Sequence, residues 1–173
     1  MNKTREIVYA GLLIAIGYVL PMIFHMFNMG GPAFLPMHIP VLIAGLLLSP
    51  QSALLVGMVT PVLSSLLTGM PPIYPMLPIM FFELATYGLI TALCFGKFNL
   101  GYFKSLTIAM IAGRIVAGLV VAVLAVGFGL PMSPVPYILG AIATGLPGIA
   151  IQYVVVPAFA KMLSVMGLQS YTA

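Results

Sequence analysis

Glu83 and Arg114 are the residues of this sequence most able to do chemistry, because both fall inside long apolar runs. Glu83 lies in PIMFFELATYG (78–88) and Arg114 in MIAGRIVAG (110–118). A carboxylate there could take donors from a hydrogen-rich ring, and a guanidinium could hold a carboxylate in a bidentate, charge-assisted contact. The two could also pair with each other and do no more than join two helices. Further polar residues fall nearby in the chain: His25, Asn28, His38, Tyr74 and Gln152. Tyr87 follows Glu83 by four residues, which on a helix places it on the same face.

Reaction chemistry is poorly served. The chain has no aspartate, so an aspartyl dyad is excluded. Ser64 or Ser65 could be matched with His38, yet neither serine lies in a nucleophile motif. There is no H-E-x-x-H and no P-loop. Two histidines thirteen positions apart, with no acid beside them, make a poor metal site, and the single Cys94 excludes a disulfide within the chain. We therefore expect no enzyme, no metal and no cofactor in this chain. No ATPase motif and no inverted repeat of broken helices supplies a drive. These residues suit a protein that binds something small but cannot move it inward alone.

The elements that position these residues must lie in a membrane. The chain is 62% hydrophobic and 5% charged, with mean hydropathy +1.23, too apolar for a water-exposed shell. Apolar segments continue to about Lys161, far beyond a signal peptide, so we expect an all-α integral membrane protein forming a single domain over 1–173. Spans of about 20 residues are expected at 7–25, 34–49, 52–68, 77–96, 104–128 and 137–163. Between the second and third, Pro50 is expected to stop one helix and Ser52 to cap the next.

Six spans put Lys3, Arg5, Lys97, Lys104 and Lys161 on one side. The positive-inside rule makes that side, and both termini, cytoplasmic. The outer face then carries HMFNMGGPAFLPMHIP (25–40), TGMPPIYPMLP (68–78) and GFGLPMSPVP (127–136). Proline stiffens these loops and leaves carbonyls free for partners. Glu83 is expected about 9 Å deep from outside and Arg114 near the midplane. Each side chain leans toward its own helix N-terminus, which widens a gap of roughly 10 Å. That favours separate roles in a polar cavity open to the outside, with direct pairing as the alternative.

At this point the sequence resembles a known family. LPMHIPVLIAGLLLSPQSALLVGMVTPVLSSLLTGMPP (35–72), followed by PIMFFELATYG, looks like a substrate-binding S component of an energy-coupling-factor (ECF) vitamin transporter, closest to the pantothenate-type group. The resemblance implies a prokaryotic, multi-pass plasma-membrane subunit that captures a vitamin outside. It further implies a transmembrane T component and two ATPases as partners, the ATP being used by those ATPases. The substrate-binding residues would be Glu83, Arg114, His38, Asn28, Tyr74, Tyr87, Gln152 and His25. Arg114 would suit pantothenate, niacin, lipoate or biotin, whereas Glu83 would suit pyridoxine or hydroxymethylpyrimidine; pantothenate is the first choice. The family's docking pattern of alanines four apart on helix one is matched by Gly11 and Ala15, with Ala10 adjacent. Small residues at that spacing let helices approach closely in lipid. A small secondary transporter and an orphan intramembrane enzyme are the alternative readings.

Overall fold

The computed structural model describes residues 2–26 and 31–165. Helix α1 (Lys3–Met26) is followed by the single turn α2 (Gly31–Phe34) and the short α3 (His38–Leu47). Then come α4 (Pro50–Thr68), α5 (Met76–Ala92) with a π-helical turn over Leu93–Lys97, α6 (Tyr102–Phe128) and α7 (Pro134–Val165). Among the described residues, five helices are long and apolar enough to cross a membrane. Their outward faces carry large apolar side chains such as Ile7, Leu12, Leu119 and Val126, the last 91% exposed. Helices that satisfy their own backbone polar groups are what lipid permits.

The expected second span, 34–49, is the exception. Leu35 takes a left-handed φ of 50°, which breaks the helix between Phe34 and His38, and Pro36 cannot donate into an unbroken ladder. What remains, α3, has 10 residues and is about 15 Å long, half of a hydrocarbon core of about 30 Å. Nine of those residues are buried, because α1, α4, α5 and α7 all pack against them. This element is the pillar of the bundle and has little contact with lipid.

The turn after α3 is also built differently from expectation. Ser49, not Ser52, is the N-cap of α4: its side chain accepts from the Ser52 N–H at 3.4 Å, and Pro50 opens the helix. Proline fits that first position because its missing N–H would have lacked a partner anyway. Glu6 adds a tie from α1, its Oε1 accepting the Ser49 N–H at 2.8 Å.

Helices α4 and α5 pack closely through glycine. A Cβ on Gly57 would meet the Leu84 backbone, and one on Gly88 would meet the Ala53 carbonyl. Backbones can touch there only because neither residue carries a side chain. The main core gathers Val41, Leu42, Leu46, Val56, Leu84 and Leu106, and a smaller one joins Ile79 to Val121 nearer the other end.

The loops sort to two ends. The start of α1, the α3–α4 turn and the end of α7 meet where Tyr9, Leu47, Phe159 and Leu163 line one groove. The π-turn also packs against α3. Lys3, Arg5, Lys97 and Lys161 belong to these segments, and Lys104 to the start of α6 that follows the π-turn. The proline-rich segments 31–37, 69–75 and 129–133 occupy the opposite end, where the main cavity lies.

Candidate functional site

The cavity has a volume of about 500 Å³ and is walled by proline and methionine: Pro32, Pro36, Pro71, Met70, Met76 and Met80 among others. Its polar residues come from separate elements. His38 opens α3, Glu83 lies two turns into α5, Arg114 sits mid-α6, and Tyr137 and Thr144 come from α7. Every long helix except α4 contributes, and α4 acts through the loop that follows it.

That loop is held shut by α4. Ser64 Oγ donates to the Met70 carbonyl and Ser65 Oγ to the Pro71 carbonyl, each at 2.7 Å. The expectation that proline-rich loops leave their carbonyls free fails for these two. The same bonds occupy both serines, so neither pairs with His38 as a nucleophile would.

Arg114 and Glu83 pair directly. Nη1 stands 2.8 Å from Glu83 Oε1, correcting the expectation of separate roles. The expected depth gap closes because the two helices pack in a register that sets Tyr87 against Gly113. The register is fixed lower down, where the Tyr87 ring fills the space against Gly113. Glu83 is therefore about 6 Å further out than Gly113 and about 4.5 Å further out than Arg114's own level, a distance an arginine side chain spans. The contact is short but not aligned as a hydrogen bond, and Glu83 Oε1 has no hydrogen-bond partner among the described residues.

His38 Nε2 lies 3.9 Å from the same oxygen, beyond hydrogen-bond reach. Its ring meets Tyr87 edge-on, with centroids 5.2 Å apart. Among the described residues, neither imidazole nitrogen has a hydrogen-bond partner, and Nε and Nη2 of Arg114 are equally without one. All three ionisable residues are buried, Arg114 being 7% exposed. Buried donors without acceptors each cost about 1–3 kcal/mol.

The other expected ligands are placed differently. Tyr87 is buried beneath the floor as a packing residue and does not line the cavity. Gln152 is also buried away from it, its Nε2 3.5 Å from the Leu35 carbonyl, bracing the break before α3. Tyr74 is 51% exposed in the 69–75 loop and is not on the wall. Asn28 lies outside the described residues, and His25 is helical with its side chain outside them. On α1, Gly11 and Ala15 are exposed, with nothing within 4 Å of a Cβ on Gly11, while Ala10 packs partly against the core.

Sequence reading missed the α7 wall. Tyr137, Gly140, Ala141 and Thr144 recur at three- and four-residue spacing, one stripe of a helix. That period was available, but small residues in an apolar run gave no sign of facing a cavity.

A family model described as "ECF transporter, substrate-specific component" matches residues 5–160. No curated protein and no solved structure matches the chain. The family is one of membrane transporter components and not of enzymes, and it implies a small-molecule substrate together with T-component and ATPase partners. An apolar cavity with a charged floor, in a helical bundle without a drive of its own, agrees with this match, and the chain belongs to the ECF transporter substrate-specific component family.

Proposed function

We propose that the protein captures a small vitamin or precursor at the outer face of a prokaryotic plasma membrane, with pantothenate as first choice. The observation that carries this reading is the position of the cavity. It lies at the end opposite the segments bearing Lys3, Arg5, Lys97, Lys104 and Lys161, and the positive-inside rule places those residues in the cytoplasm. The site therefore faces outward. Delivery falls to a T component and two ATPases, which use the ATP; this chain uses none.

Pantothenate suits the walls as well as the floor. Its geminal methyl groups match proline and methionine, and its polar ends need donors and acceptors such as those at His38, Arg114, Tyr137 and Thr144. Mostly apolar pockets with a few convergent polar groups are how small ligands are commonly held.

Protein extracted in mild detergent and then denatured should release a vitamin detectable by mass spectrometry. The same preparation, stripped and offered a panel of B vitamins, should bind one of them with sub-micromolar affinity. Absence of any binding tighter than micromolar across that panel would sink the proposal.

A further inference from the structure

Resting on the vitamin-binding reading above, we infer that the substrate carries a carboxylate received by Nε and Nη2 of Arg114 with help from His38, and that Glu83 is a positioning residue and not a ligand.

The guanidinium offers its donors along distinct edges. Nη1 is engaged by Glu83 Oε1 at 2.8 Å. Nε and Nη2 together form the side edge that matches the two oxygens of a carboxylate, and both are buried without an acceptor. Nη2 turns toward α7, 3.6 Å from where a Cβ on Gly145 would stand. No protein oxygen on α5, α6 or α7 answers these donors. A cationic or purely donor-bearing ligand would leave them unpaired and add a repulsion.

Charge explains which edge is used. The Glu83–Arg114 pair is net neutral, so a carboxylate gains little from long-range attraction and depends on short contacts. Glu83 repels it from the Nη1 end, which directs it to the opposite edge. Nε and Nη2 are themselves covered, so the guanidinium must turn slightly to present them. The misaligned Nη1–Oε1 contact permits that turn while keeping the guanidinium in place. His38, as a neutral imidazole, has one donor and one acceptor, and the donor is the one that would help hold the carboxylate.

The test compares acids with neutral partners of the same shape on the full chain in detergent or nanodiscs: pantothenate with panthenol, nicotinate with nicotinamide, and biotin with biotinamide. For the scaffold that binds, the acid should bind at least about tenfold more tightly, the scale of a charge-assisted pair. Arg114→Lys keeps the charge but loses the edge, so it should collapse the acid-to-neutral ratio while changing the neutral partner's affinity little. Glu83→Gln should widen the same ratio, because the charge of the guanidinium is then unbalanced and the repulsion at its Nη1 end is gone; a purely structural Glu83 would weaken acid and neutral ligand alike. Equal binding of acid and neutral partner by the unaltered protein overturns the inference, and that measurement needs no variant to fold. Tight binding of pyridoxine or thiamine, which have no carboxylate, overturns it too while leaving the vitamin-binding reading intact. Binding of no vitamin at all removes both.

Discussion

The Tyr87 ring occupies the space a Cβ on Gly113 would need. This contact sets the sliding register of α5 against α6. Arg114 is the next residue on α6, and Glu83 is one turn from Tyr87 on α5. Packing of two uncharged residues thus determines whether two charged ones meet. The ring is also held by His38, edge-on at 5.2 Å, so it cannot readily move aside.

Gly113→Ala should therefore destabilise the protein, by about 1–3 kcal/mol as expected of overpacking, and weaken substrate binding with it. Gly11→Ala is the control, since nothing lies within 4 Å of its Cβ position. Thermal unfolding followed in detergent should show a lowered midpoint for the first and none for the second. Equal midpoints would mean that the α5–α6 register is not set at Gly113.

The Glu83–Arg114 pair should behave as a buried ion pair in stability. Removing either partner strands a charge, at a cost of about 3–5 kcal/mol. Glu83→Gln and Arg114→Gln should each lower the melting midpoint, and the double substitution should recover much of the loss. The coupling from a double-mutant cycle on melting temperature reports this directly. Additive losses would show that the 2.8 Å contact contributes nothing to the fold.

On α1, leucine in place of Gly11 or Ala15 should leave substrate affinity unchanged and stop uptake by the assembled transporter. Both positions are exposed on the stretch of α1 that precedes Pro21, the residue of this helix that lines the cavity, so bulk there is felt only by a partner helix approaching through lipid. Parallel binding and uptake assays separate the effects. Loss of binding along with uptake would assign these residues to packing inside the bundle.

Topology can be read by labelling. In a background lacking the buried Cys94, cysteines placed at the exposed Lys97 and Ser133 should react from opposite faces of the membrane, Ser133→Cys from outside. Reaction of the Lys97 position alone with an impermeant reagent applied outside would reverse the assignment of the cavity mouth, and reaction of both would overturn the count of spans between them.

Composition and period alone determined that this chain is a helical membrane bundle and where its charged loops gather, and they singled out Glu83, Arg114 and His38 as polar residues set in apolar surroundings. Each of these follows from local rules: apolar length, proline and glycine punctuation, and the cost of charge in lipid. The tertiary structure decided the rest. Leu35 and the packing around α3 turned an expected span into a buried half-length pillar, because neighbouring helices replaced lipid around it. Tyr87 and Gln152 looked like ligands by depth, yet packing assigned them to the Gly113 contact and the Leu35 carbonyl. Tyr137 and Thr144 reached the cavity because α7 packs against α2, α3 and α6 and forms one of its walls, a relation between segments far apart in the chain. The Glu83–Arg114 contact depended on helix register, and register is set by which side chains interlock between helices, not by how deep each residue lies along its own.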